Sequence, residues 1–208
     1  MCFENDLLLK AAQKYKSLIG TKLIIIVGRK NKQETIIINF KSYNFYHLAG
    51  LHKLKDIQAI KGKNTSNILN RILKGKLTDE MIEKSSSYNQ MKERLKIISE
   101  FPEVLKNDKI VWKFNKVRAN GWSKIKWDYL IDYETSKREA YIFLRYNNDT
   151  QDYYCVSAFN KGKTNYSEMQ TRMTVLKVTL INSDSQRAKI IYQRNSFSSK
   201  ASTDNSSL

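Results

Sequence analysis

Residues 141–159, YIFLRYNNDTQDYYCVSAF, pair two runs of β-branched and aromatic residues about Asn147-Asn148-Asp149. Runs of that composition favour strands, and an Asn/Asp cluster between them signals a turn, so the stretch reads as an antiparallel hairpin. The same alternation extends to both sides of it. Ile110–Val117, Ser123–Tyr133, Glu139–Tyr146, Tyr153–Phe159, Met173–Ile181 and Ala188–Gln193 all read as strands. Asn120-Gly121 and Asn182-Ser183-Asp184 supply further turns. Short spacing predicts that consecutive strands are antiparallel neighbours.

Towards the N-terminus the pattern changes. Residues 6–19 (DLLLKAAQKYKSLI) predict an amphipathic helix capped by Asp6, with Leu8, Ala11, Ala12, Tyr15, Leu18 and Ile19 on one side. Lys22–Val27 and Glu34–Phe40 predict a β-hairpin joined by Gly28–Lys32. From about 52 to 107 the spacing is helical, with one stripe at Ile68, Leu69, Ile72 and Leu73. A second stripe runs Met81, Ile82, Tyr88, Met91, Leu95 and Ile98. Thr78-Asp79-Glu80 opens that region as a cap with acids in the first turn. Ser85-Ser86-Ser87 interrupts it, and Pro102 closes a helix. The expected fold is α+β, a helical layer packed on an antiparallel sheet. It forms one domain over 1–197, with a helix, hairpin and helical part to about 107, a sheet over about 108–197, and a disordered Ser/Asn/Asp-rich tail over 198–208.

Charge narrows the function. The 208 residues carry 37 Lys and Arg against 20 Asp and Glu, a formal charge of +17. Residues 1–100 hold 19 basic and 9 acidic side chains and the remainder 18 and 11, so the excess belongs to the whole body. Such a field suits a polyanionic partner, although a Lys-rich codon bias produces the same balance. Lys53, Lys55, Lys61, Lys63, Arg71, Lys74 and Lys76 set seven cations against Asp56 within residues 53–76. Of these all but Lys76, together with Lys161 and Lys163, are the candidate nucleic-acid contacts. Two cysteines, Cys2 and Cys155, make no disulfide framework or zinc spacing, which favours a cytoplasmic protein. The N-terminus lacks a basic leader, and the longest apolar run, Leu23–Val27, is too short for a membrane span.

Both histidines lie in Phe45-Tyr46-His47-Leu48-Ala49-Gly50-Leu51-His52-Lys53, at the head of that basic stretch. Imidazole is the side chain whose ordinary pKa suits proton transfer near neutrality. Arg145 is the candidate phosphate clamp, because a guanidinium matches phosphate oxygens bidentately. Adjacent antiparallel strands put Arg145 and Ser157 on one face, and Ser157 or Tyr166 can bond a phosphate. Each also has a plain structural reading: a solvated strand-end arginine, a small polar filler, one tyrosine among 12. Trp112-Lys113-Phe114, Trp122 and Lys126-Trp127 suit either base stacking or core packing. The chain has no phosphate-cradling glycine loop or hydrolase elbow, and it is poor in the carboxylates a two-metal nuclease needs. No cofactor and no metal are expected. Cleavage by the RNA 2′-hydroxyl fits what is present, since it needs proton transfer and charge stabilisation.

With these residues in hand, the chain resembles a phage-associated subgroup of the barnase–EndoU–colicin–RelE-like nuclease superfamily. One carrier is Asn39-Phe40 through Asn44-Phe45-Tyr46-His47-Leu48-Ala49-Gly50-Leu51, similar to the subgroup's hydrophobic-x-F…F-x-H-L-x-G-L element. The other is Phe143-Leu144-Arg145, Val156-Ser157-Ala158-Phe159, Tyr166, Gln170 and Val175-Leu176. Ala158 stands where the subgroup has a bulkier residue, and residues 105–139 have no counterpart. The resemblance implies a metal-independent RNase with helices leading into a four-stranded antiparallel sheet. It also implies a toxin or anti-phage effector acting on single-stranded RNA or tRNA, with an antitoxin or immunity partner. Carried over by position, the active-site set is His47, Arg145, Ser157, Tyr166 and Gln170. The alternative is a non-catalytic RNA- or DNA-binding protein using the same basic surface.

Overall fold

The computed structural model describes residues 6–61, 64–104, 110–117, 125–134 and 138–197. Helix α1, Leu7–Lys16, begins where Asp6 accepts from the Leu9 amide at 2.7 Å, and it buries Leu8, Ala11, Ala12 and Tyr15. Strands β1 (Thr21–Arg29) and β2 (Lys32–Asn39) then form the hairpin. Its turn is tighter than the five-residue linker expected. Lys30 and Asn31 both adopt left-handed backbone, φ 47° and 61°, which is the two-residue turn whose twist matches paired strands.

Helix α2 (Asn44–Leu48) and a 3₁₀ turn at Leu51–Lys53 follow, then α3 (Thr65–Leu73), α4 (Asp79–Ile82), α5 (Tyr88–Ser99) and α6 (Phe101–Val104). The serine run parts α4 from α5 for a specific reason. Asp56 accepts from the Ser85 hydroxyl at 2.6 Å and the Ser86 amide at 3.1 Å, so these groups bond a neighbouring loop rather than continuing a helix. Strands β3 (Ile110–Lys113), β4 (Tyr129–Glu134), β5 (Glu139–Asn147), β6 (Asp152–Asn160), β7 (Thr171–Asn182) and β8 (Ala188–Gln193) complete the α+β fold.

The sheet has eight described strands in the order β1-β2-β6-β5-β4-β3-β7-β8, and β1 also pairs with β7. The ladder therefore closes into a ring. This differs from the four-stranded sheet implied by the family resemblance, and β6 and β7 are not neighbours as their sequence spacing suggested. β6 instead meets β2 in parallel at Ile38↔Tyr153, while β7 lies between β1 and the β3/β8 side. One face of the ring and the helices share a single core: Leu23, Ile25, Ile36, Ile38, Ile131, Ile142, Leu144, Val175 and Val178 pack with Leu8, Leu48, Leu69 and Leu95. Across the ring, Glu34 of β2 takes the Lys113 ammonium at 2.7 Å and the Tyr129 hydroxyl, joining strands that are not ladder partners.

The other face of β4–β6 carries a second cluster in which Trp127, Leu130, Tyr141 and Phe143 are buried against Trp112, Phe114, Phe159 and Tyr166. These described tryptophans are therefore packing residues and not an exposed stacking platform. Trp122, the Asn120-Gly121 turn, Cys2, Lys63 and the 198–208 tail lie outside the described residues. Among the described residues no helix is long and apolar enough to cross a membrane.

Candidate active site

Helix α2 is five residues long, and its orientation is fixed by its apolar side. Phe45 and Leu48 are wholly buried, and the Phe45 ring packs on Tyr15 with centroids 5.3 Å apart. The Tyr15 hydroxyl donates to the Lys41 carbonyl at 3.0 Å, tying down the segment before the helix. At about 100° per residue, His47 lies about 200° round from Phe45 and so faces outwards. It is exposed.

A cleft of about 470 Å³ opens there, lined by Asn39, Lys41, Tyr43, Asn44 and His47 on one side and by Arg145–Asp149, Asp152 and Tyr154 on the other. Its two walls are held together by the β2–β6 contact. Asp152 accepts from the Asn39 amide and, at 2.6 Å, from the Thr150 hydroxyl, next to the Ile38↔Tyr153 bridge. Arg145, at the end of β5, is exposed and stands opposite Tyr154 in the ladder. The cleft thus combines an imidazole, a guanidinium, the Lys41 ammonium and the three phenols of Tyr43, Tyr146 and Tyr154. That set can transfer a proton and neutralise a phosphate.

The other expected members of the set lie elsewhere. Ser157 stands opposite Phe143, two positions before Arg145, and the ladder shifts register just beyond it, where β6 holds one extra residue. Ser157 is buried and accepts from Arg94 Nη1 of α5 at 3.0 Å. Tyr166 packs in the second aromatic cluster, with its centroid 5.2 Å from Phe143 and 5.7 Å from Tyr141. Gln170 spends its oxygen on the Asn115 amide at 2.9 Å and its nitrogen on the Glu168 carbonyl, tying two loops. The expected convergence therefore extends to His47 and Arg145 but not to Ser157, Tyr166 or Gln170.

Two proposed nucleic-acid contacts are committed to the fold. Arg71 donates to the Ala59 carbonyl at 2.7 Å, and Lys161 is paired with Asp132 at 2.7 Å and Glu139 at 3.8 Å. Lys55, Lys61, Lys74 and Lys163 are exposed, and Lys53 is half-buried. Arg94 is the residue that sequence reasoning passed over, because it lies in a helical stripe as one basic side chain among many. Gly50 carries its only trace. That glycine has φ +80°, and a Cβ there would stand 2.9 Å from Arg94 Cδ, so the motif's glycine admits the arginine stem.

His52 lies beside His47, with ring centroids 5.1 Å apart, and although its outer side is exposed its ring is partly covered. Packing removes water from it, and the charges of His47, Arg94 and Lys53 add repulsion, so its pKa is pushed down to about 4. A hydrogen bond to the Tyr46 backbone acts in the opposite sense but is outweighed. The folded state therefore resists a proton that the unfolded chain accepts near 6.5. The stability linked to neutral His52 is complete above that value and is lost as pH falls from 6.5 towards 4. Calorimetric Tm should fall over this window, and His52→Gln should flatten the fall. An equal fall in both proteins would place the effect elsewhere.

Among the described residues, no three His, Cys, Asp or Glu side chains are grouped to hold a metal ion. No curated protein and no solved structure matches the chain. A family model does: the fold just described and the His47 motif fall within a match over residues 7–196. The chain belongs to PBECR4, the phage-Barnase-EndoU-ColicinE5/D-RelE like nuclease4 family.

Proposed function

We propose that this nuclease is an RNA endonuclease that cleaves by attack of the 2′-hydroxyl on the adjacent phosphodiester, without a metal ion. The observation that carries the proposal is that His47 and Arg145, far apart in sequence, line one cleft. His47 exchanges protons with the attacking and leaving oxygens, directly or through water. Imidazole performs this step with a proton affinity matched to neutral pH. Arg145 and Lys41 supply fixed positive charge where the phosphorane develops negative charge. Tyr43 and Tyr154 add hydroxyl donors at the walls. RNA supplies its own nucleophile, so the protein has only to move protons and stabilise charge.

The test is incubation with total RNA in excess chelator, with product ends identified by mass spectrometry. Cleavage is expected to persist and to leave 2′,3′-cyclic phosphate ends. Activity that vanishes with chelator and returns with magnesium or manganese would reject the mechanism. Binding of RNA without cleavage would leave the non-catalytic alternative.

A further inference from the structure

Arg94 is 8% exposed, yet among the described residues no carboxylate pairs with it. Its contacts are the Ser157 hydroxyl at 3.0 Å and the Phe159 ring, whose centroid is 5.6 Å from the guanidinium carbon. A buried cation is normally neutralised by a partner, because leaving water costs several kcal/mol per ion. Here the neighbours have the wrong sign. His52 and Lys53 both lie within reach of the Arg94 charge, and each is held below its ordinary pKa first by loss of water; repulsion from Arg94 comes next for Lys53, and for His52 it follows that of His47. Ser157 accepts from Arg94, which leaves its own hydroxyl proton free to donate. The packing that holds the arginine is built in: Gly50 makes room for its stem, and Phe159 covers its face. His47 joins this cluster to the cleft through its ring contact with His52.

We propose that Arg94, Ser157, His52 and Lys53 form a second phosphate subsite, which takes a phosphate next to the scissile one on the same polynucleotide strand. This rests on the reading of the cleft as the cleavage site, and it gives the missing countercharge a source in the substrate. One phosphate bound by Arg94 and Lys53 neutralises the cluster, while the next lies beside His47, Lys41 and Arg145. The preferred ligand is then a strand with at least two consecutive phosphates.

The test uses 2′-deoxy dinucleoside monophosphates, which lack the attacking hydroxyl, with and without an added 5′- or 3′-phosphate. Binding is followed by NMR titration. In the wild type, one of the added phosphates is expected to tighten binding by roughly tenfold, the low end for a charge-assisted hydrogen bond. In Arg94→Gln that gain should disappear. A folded Arg94→Gln protein that keeps the full gain overturns the subsite, as does a wild type that gains from neither phosphate.

Should Arg94→Gln fail to fold, the His52→Gln/Lys53→Ala double variant leaves the Arg94–Ser157 bond intact and should lose most of the gain. An unchanged gain there overturns the proposal equally. Cleavage is scored separately. Failure of the wild type to cut RNA, with the phosphate gain intact, would reject the nuclease mechanism and keep the subsite.

Discussion

Arg145→Ala is expected to lower RNA cleavage by about 10²-fold or more, the usual cost of removing one preorganised donor to a developing negative charge. Tm should be unchanged, because the side chain is exposed at the end of β5 and supports no core contact that the fold depends on. His47→Ala should cost about 10²–10⁴-fold, as expected for a general acid–base. It too should leave Tm unaltered, since α2 is seated by Phe45 and Leu48. Initial rates on a defined RNA, with calorimetry on the same samples, separate the two effects. Full activity in either variant would remove that residue from the mechanism.

Phe143→Ala should have the opposite profile, a loss of about 3–5 kcal/mol of stability, as for other buried Phe truncations. Phe143 is completely buried and touches Trp127, Tyr141, Phe159 and Tyr166, so the void would open in the middle of the second cluster. Because Phe159 also covers Arg94, the variant should loosen that arginine as well. Denaturant unfolding measures the stability, and a loss below about 1 kcal/mol would mean that the cluster collapses onto the gap.

The elements were legible where one local force dominated. Apolar spacing located α1, α3 and α5, and β-branched runs located most strands to within a few residues, since both patterns are set by neighbours in sequence. Pairing was less legible. Nothing in residues 153–181 announces that β6 turns to β2 and β7 to β1, because that choice is made by the shared core. At the site, His47 and Arg145 stood out by chemical type. The partner of Ser157 is Arg94 of a helix more than sixty residues away, which no local pattern around Ser157 announces. Arg94 was hidden for a related reason: a buried arginine and a solvated one look alike until the helix is docked.

The closed ladder bears on how the chain reaches its native state. β1 is made early but has β7 as its second partner, with Thr21 opposite Asn182 and Gly28 opposite Thr174. Contacts over such a span in the chain carry a large loop-closure cost before they return any energy, which slows folding. Until residues 171–182 are present, the early hairpin has an unsatisfied edge of exposed amides and carbonyls, the kind of edge that recruits other strands. Chains stopped short of β7 are therefore expected to leave this edge of β1 open.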